Sequence, residues 1–309
     1  MRMHSSSRPP NTSVLVALLL MAALLLAGSL IACSTNPGGP TTARYVLGAP
    51  YQVGEVWYYP QESYKSVQTG LAAIAHDRHP AMTANSEAYD PTALTAGHQT
   101  LQLPAIARVV NLENGLAVTL RINDRGPARP HRLLELTPRA AGLLGIRSEG
   151  RAAGSGTQIR VEILDAESRA AVEGLVGTPQ LKIAAAPRGA VQREGASAVA
   201  PSDTSPIAPP MPIQRVPEDV MQTTFGPGTL FIRLGSFSRA EYAEHQRSRL
   251  AHLAPSLETE RDGRQTTYRL RIGPLQNIAA ADAALDQVFR AGVSDGRIIV
   301  VHDASTPPY

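Results

Sequence analysis

Residues 105–127 read Ala105-Ile-Ala-Arg-Val-Val-Asn111, then Leu112-Glu-Asn-Gly115, then Leu116-Ala-Val-Thr-Leu-Arg-Ile-Asn123, and close on Asp124-Arg-Gly-Pro127. Two short apolar runs, Ala105–Asn111 and Ala117–Asn123, flank an Asn-Gly pair. Asparagine and glycine accept the positive φ angles of a tight turn, so the spacing predicts a β-hairpin. A third strand is predicted over Gln158–Leu164. Thr137 to Leu144 predicts a short helix, with Thr137 as its cap, Pro138 at the first position and Gly145 at its end. Working outward, residues 68–175 are short apolar runs divided by Gly, Pro and Asn, which predicts a β-rich domain.

Residues 176–228 form a linker by composition. Most of this stretch is rich in Pro, Ala and Ser and has no hydrophobic period, so it has little with which to bury a core. Residues 229–302 then predict a second domain. Leu230–Leu234 is its first strand. Ser238, with Glu241 three residues on, predicts a capped helix. Asp262-Gly263 turns a hairpin into Thr266–Ile272. Ile278, Ala281, Leu285, Val288 and Phe289 lie at near-helical spacing before Gly292, and Arg297–Val301 is the last strand. The pattern repeats: Phe231-Ile-Arg-Leu-Gly235-Ser-Phe237 leads into the first helix, and Arg269-Leu-Arg-Ile-Gly273-Pro-Leu275 into the second. Two β-α-β units predict one antiparallel sheet covered by two helices.

The other end of the chain predicts export. Arg2 and Arg8 precede an apolar run, Val14 to Leu26, broken by Gly28 and Ser29 and followed by Leu30-Ile-Ala-Cys33. That is the order of a secretory signal. The run is shorter than the about 20 residues of a membrane span. Without residues 1–32 the formal charge falls from +3 to +1, so the basic pI carries no argument for nucleic acid. Cys33 is the only cysteine, which excludes an internal disulfide. The histidines lack recognised ligand spacing, so no metal and no cofactor is expected. With aromatics at 5%, few rings are available to stack on a sugar.

The segment Leu30-Ile-Ala-Cys33 resembles the bacterial lipoprotein signal. The resemblance implies removal of residues 1–32 and lipid on Cys33. Ser34 at the next position implies sorting to the outer membrane, facing the periplasm. Residues 33–67 are then a tether and lead-in.

Two further stretches carry a resemblance. Thr83-Ala-Asn-Ser-Glu87-Ala-Tyr-Asp90, Ala93-Leu-Thr-Ala-Gly-His98, Leu103-Pro104 and Asn123-Asp-Arg-Gly-Pro127 together resemble the rare lipoprotein A family of septal lytic transglycosylases. Tyr51-Gln-Val-Gly-Glu-Val-Trp57-Tyr-Tyr-Pro60 resembles the lead-in of its members. Residues 229–302 resemble the SPOR domain, which binds peptidoglycan glycan strands stripped of stem peptides. The fold implied is a six-stranded double-psi β-barrel, a linker and an α+β SPOR domain: mainly β plus α+β. The partners implied are denuded glycan strands, the membrane through the lipid, and division proteins.

The family's acid positions fall on Glu87 and Asp124, with His98 beside them. Cleaving a glycosidic bond needs an acid to protonate the leaving oxygen and stabilisation of charge at the anomeric carbon. In a lytic transglycosylase the muramic acid's own hydroxyl attacks and leaves a 1,6-anhydro end, so one proton-shuttling acid suffices. Each residue also has a plain reading: Asp124 as a turn cap, Glu87 as a loop acid, His98 as a barrel histidine. Arg125 either grips a substrate carboxylate or pairs with a nearby acid. On the C-terminal sheet the candidate contacts are Arg233, Ser236, Phe237 and Arg271, with Phe237 equally a core residue and Arg271 equally a solvent-facing one.

The chain departs from the family pattern at four places in the barrel and at one in the SPOR-like domain. Ala72-Ala-Ile-Ala-His76 stands where the pattern has Ala-Ser-Trp-Tyr-Gly, which removes two rings, and the segment to Thr83 is one residue short. Ser86 replaces a glycine before Glu87; if that position needs a positive φ, serine there is strained. Glu135 replaces an Asp, and Arg233 a common Gln. A non-catalytic peptidoglycan-binding division protein is the second expectation. A water-using hydrolase, needing Asp90 or Glu135 as a second carboxylate, is the third.

Overall fold

The structure, a computed structural model, describes residues 43–54, 56–75, 82–129, 131–147, 156–178, 216–263 and 265–302. The signal segment, Cys33, the start of the tether, His76 and residues 179–215 of the linker lie outside the described residues.

The chain opens with a small antiparallel hairpin, β1 (Tyr51–Val53) and β2 (Val56–Tyr58). Six strands then build the barrel: β3 (Val67–Ile74), β4 (Thr95–His98), β5 (Ala105–Asn111), β6 (Leu116–Asp124), β7 (Leu134–Leu136) and β8 (Thr157–Ile163). Their order is β4-β7-β3-β8-β5-β6, and β6 pairs back onto β4 and closes the ring. The β3–β7 and β4–β6 pairs are parallel and the rest antiparallel. The β4–β6 pairing covers only Arg121 to Asp124 and leaves the N-terminal half of β6 open on that side. The core is filled by Val109, Val118, Leu120, Ile122, Leu134, Leu136, Ile159 and Val161, all nearly fully buried.

The local signals explain this framework. Gly115 takes φ +76° at the hairpin, and the Asn114 side chain accepts from Leu116 N at 2.9 Å while donating to Leu144 O at 3.0 Å. Helix α1 (Pro138–Leu143) has Thr137 as its cap, with Oγ1 accepting from Ala140 N, and Gly145 follows at φ +67°. Helix α2 (Asp165–Val172) packs on β5, where Ser168 Oγ bonds both N and O of Ile106.

Strand β9 (Val220–Gln222) lies in the segment assigned to the linker, and this corrects the expected boundary. It adds antiparallel to β6, pairing Val118 with Val220 and Leu116 with Gln222. Gly115 permits the approach: a Cβ there would sit 2.5 Å from Gln222 Nε2 and 2.6 Å from Thr223 O. At the other end of the expected linker, Val176 forms a bridge to Arg44.

The C-terminal domain comprises β10 (Thr229–Phe237), α3 (Ala240–Arg249), a short 3-10 turn, β11 (Ser256–Asp262), β12 (Gln265–Leu275), α4 (Ile278–Arg290) and β13 (Arg297–Val301). Its sheet is antiparallel in the order β11-β12-β10-β13. Leu230, Ile232 and Leu234 alternate inward against Ala281, Leu285 and Val288 of α4. Asn277 caps α4 through Ala280 N. The capping box expected at Ser238 is not made. Strand β10 runs on to Phe237, the cap position falls on Arg239 with no side-chain bond, and Glu241 instead pairs with Arg239 on the surface.

The two domains share apolar core. Leu71, Val110, Leu112 and Ala117 of the barrel belong to the same buried cluster as Leu230, Ile298 and Val300. Thr69 Oγ1 both donates to Val300 O (2.8 Å) and accepts from Val300 N (3.0 Å). Arg132, its side chain 2% exposed, makes a two-pronged bond to Asp282 at 2.7 and 2.9 Å.

Candidate functional site

Glu87 sits on a loop that folds on itself. Thr83 N donates to Glu87 O at 2.7 Å, Glu87 N to Thr83 Oγ1 at 3.1 Å, and Ser86 N to Thr83 O at 2.9 Å. The turn forces Ser86 to φ +68°, the strained conformation anticipated where a glycine was replaced. A left-handed φ costs an ordinary residue about 1–2 kcal/mol. Glycine escapes that cost but loses more backbone entropy on folding. Ser86→Gly is therefore expected to raise stability by about 0.5–1 kcal/mol, read as a rise in the urea midpoint at unchanged slope.

The loop directs the Glu87 carboxylate inward, where it is 3% exposed. Arg121 Nε and Nη2 donate to Oε1 at 3.0 and 2.7 Å, Asn85 Nδ2 donates to Oε1 at 2.7 Å, and Asn123 Nδ2 to Oε2 at 2.8 Å. Glu87 thus ties the 83–87 loop to β6. Arg121 is the residue that sequence reasoning missed. Its only signal was a charge inside an apolar strand, with the partner 34 residues away.

Asp124 ends β6 on the same loop. Its Oδ1 accepts from Ala84 N (2.9 Å) and Arg125 N (2.8 Å), so it is the turn cap of the plain reading, and the side chain remains part-exposed. Gly97 pairs with Asp124 on one side and Glu135 on the other. A Cβ at Gly97 would meet the backbone of Arg125 and Gly126 at 3.4 Å, so the glycine lets the Asp-Arg-Gly-Pro turn close over β4. The two carboxylates flanking Gly97 are in register. Asp90 instead caps its own turn through Thr92 N and Oγ1. Arg125 Nη1 donates to Leu101 O and Nη2 to Leu47 O, each at 2.6 Å, which fastens the N-terminal segment to the barrel.

His98 is 2% exposed. Its Nδ1 faces the N–H groups of Thr100 (3.1 Å) and Leu101 (3.2 Å) and accepts from both. The proton of the neutral ring therefore lies on Nε2. That atom is buried and has no hydrogen-bond partner among the described residues. Burial, and then the nearby Arg125 and Arg297 guanidinium groups, push the His98 pKa down to about 3. With its pKa lowered and its Nδ1 occupied as an acceptor, the folded ring is held in the neutral form. The unfolded chain, with a histidine pKa near 6.5, binds the proton more readily. Stability is thus fully present above about pH 6.5 and falls as pH drops towards 3. Between pH 8 and pH 5 the loss from His98 is expected to be about 2 kcal/mol. Urea titrations of wild type and His98→Asn check it, since the variant should lose that part of the pH dependence.

His98 opens onto a cleft of about 310 Å³ whose walls include Trp57, Tyr59, Gln99, Asp295 and Arg297, but neither Glu87 nor Asp124. The structure therefore places Glu87 and Asp124 on one loop–strand junction and turns His98 into a neighbouring cavity. On the C-terminal sheet, Arg233 is in register with Arg271. Arg271 pairs with Glu258 at 2.7 Å and lies 4.4 Å over the Phe231 ring. Ser236 Oγ is exposed and accepts from Arg269 Nε. Phe237 packs against the core.

Residues 61–160 match the family model described as lytic transglycolase, and residues 226–297 match the SPOR domain. The chain thus joins a lytic-transglycolase-type barrel to a SPOR domain. The relative named Endolytic peptidoglycan transglycosylase RlpA of Pseudomonas aeruginosa (strain PAO1) is 27% identical over 270 residues, covering 82% of this chain and 77% of the relative. The relative of the same name in Escherichia coli K12 is 46% identical over 90 residues, 28% of this chain and 25% of its own. That of Rickettsia bellii is 33% identical over 128 residues, 40% and 54% respectively. The rare lipoprotein A pattern thus extends over barrel and SPOR domain together, the two parts that share a core in this structure.

Proposed function

We propose that the protein is a lytic transglycosylase of the periplasmic cell wall, cutting peptidoglycan strands that have lost their stem peptides as daughter cells separate. The observation that carries this is Asp124, held at the barrel's β4–β6 junction within the stretch matched by the lytic-transglycolase model. In this reading Asp124 gives its proton to the leaving glycosidic oxygen. The muramic acid's 6-hydroxyl attacks its own anomeric carbon, and the proton it loses restores the acid. Glu87 acts through its hydrogen bonds to Arg121, Asn85 and Asn123. It positions Asp124 through the 83–87 loop, because the loop it anchors supplies the Ala84 N–H to Asp124. The SPOR sheet carries the strand, with Arg233 and Arg271 as its contacts. Since the sheet is packed on the barrel, holding and cutting occur at a fixed separation, which raises the effective substrate concentration.

Cys33 is the proposed lipid site, anchoring the protein at the outer membrane. Among the described residues no helix is long and apolar enough to cross a membrane. Palmitate labelling lost in Cys33→Ala is the expected outcome; labelling that persists removes the anchor.

A binding-only role is the second reading, favoured by one observation: the described lining of the cleft at His98 includes neither Glu87 nor Asp124. Mass spectrometry of the products from denuded glycan strands incubated with the full chain separates the two. Anhydro-muramic ends are expected. Reducing ends would mean attack by water, with Glu135 the carboxylate in register with Asp124. Intact strands with full binding would establish the binding-only role.

A further inference from the structure

We infer that the cleft at His98 is a saccharide subsite completed by the SPOR domain, and that it takes an amino-sugar unit bearing a free carboxylate. The inference deepens the proposed function and rests on its glycan substrate.

The cavity, about 310 Å³, is at the lower end of the roughly 300–1,000 Å³ of small-molecule sites. One wall is aromatic: Trp57 is 46% exposed and Tyr59 63%. Large exposed rings on a short hairpin offer flat faces to a pyranose. They supply what the ring-poor Ala72–His76 segment lacks. The floor is His98, whose Nε2–H is buried without a partner. A buried donor left unmade costs free energy, and a ligand oxygen placed there recovers it. The neutral ring can only donate at this atom, so the ligand presents an acceptor.

The far wall belongs to the other domain. Arg297 begins β13 and is close enough to lower the His98 pKa, yet it remains exposed to solvent and pairs with no acid among the described residues. Strand register explains why a cation stands there. Arg271, Arg233 and Arg297 are directly opposed on β12, β10 and β13, and directly opposed residues share a face of the sheet. Strand β13 is the edge that packs on barrel strand β3. The arginine row therefore runs across the sheet and ends at the cleft. Arg233 in the middle of the row and Arg297 at its cleft end have no acidic partner among the described residues, while Arg271 at the other end is paired with Glu258. Removing a stem peptide turns the muramic lactyl amide into a carboxylate. A strand so treated carries an anion on every second sugar, and Arg297 meets the last one before the barrel. A strand whose lactyl groups are still amides offers Arg297 no charge, so the subsite discriminates for denuded glycan.

The test titrates full chain with two probes: the disaccharide of N-acetylglucosamine and N-acetylmuramic acid, and the N-acetylglucosamine disaccharide, which has no carboxylate. The first is expected to bind about tenfold tighter. Arg297→Gln should erase that difference, and Trp57→Ala should weaken both probes about tenfold. Both residues are exposed, so circular dichroism should show unchanged folding. The His98 Nε2–H resonance should shift on saturation with either probe. Equal affinity for the two probes, wild-type binding by both variants, or an unmoved His98 resonance would each overturn the inference. Weakened binding by the variants in a protein that yields no anhydro ends would leave the subsite standing and remove only the proposed activity.

Discussion

Glu87→Ala is expected to destabilise the protein by about 3–5 kcal/mol, the cost of leaving one partner of a buried ion pair uncompensated. The side chains of Glu87 and Arg121 are 4% and 6% exposed, so water cannot replace the lost carboxylate. The Asn85 and Asn123 amides would be orphaned with it. Glu87→Gln should recover part of the loss, because its oxygen still accepts from Arg121 and Asn85 while its NH2 group meets the Asn123 donor. Urea unfolding of the three proteins reads this directly. Activity should fall in proportion to the loosening of the 83–87 loop, and Glu87→Gln should retain more than Glu87→Ala. If Glu87→Gln unfolded like wild type but released no product, Glu87 would be a proton carrier and its anchoring role would be wrong.

The strands and turns that were legible in the sequence are those whose cause is local. Ala105–Asn111 was read at its observed bounds, and Gln158–Leu164 within one residue, because apolar alternation and the Asn-Gly turn act over a few residues. Thr137 and Pro138 mark α1 for the same reason. Ser238 misled because a capping box says nothing of how far the preceding strand extends. Strand β9 was hidden in a proline-rich stretch: Val220–Gln222 is short and exposed, and only the β6 edge makes it a strand. The joining of the two domains was illegible too. Leu71, Leu112 and Ala117 read as ordinary strand residues, and nothing in their spacing says that Ile298 and Val300 will cover them. The same holds for the site. Asp124 was singled out by the resemblance of Asn123-Asp-Arg-Gly-Pro127 to the family pattern, while its local turn sequence read only as a cap. Arg121 was not, because its partner Glu87 lies 34 residues away.

Asp124→Asn should separate chemistry from structure. The asparagine side-chain oxygen can still accept from Ala84 N and Arg125 N, the two bonds that fix Oδ1, so stability should remain within about 1 kcal/mol of wild type. What the substitution removes is the exchangeable proton. General acid catalysis contributes about 10²–10⁴-fold, so the rate of anhydro-end formation should fall by that factor. Binding of denuded strands should be unchanged, because the SPOR sheet and the His98 cleft do not include Asp124. A KM near wild type with a collapsed kcat is thus the expected signature, for an interaction that acts only as the bond breaks. The contrast with Glu87 is the informative part. The two carboxylates lie at the same loop–strand junction, but the Glu87 variants should lose stability first and the Asp124 variant should lose rate alone. A wild-type rate in Asp124→Asn would move the acid elsewhere, with Glu135, in register across Gly97, the next carboxylate to replace.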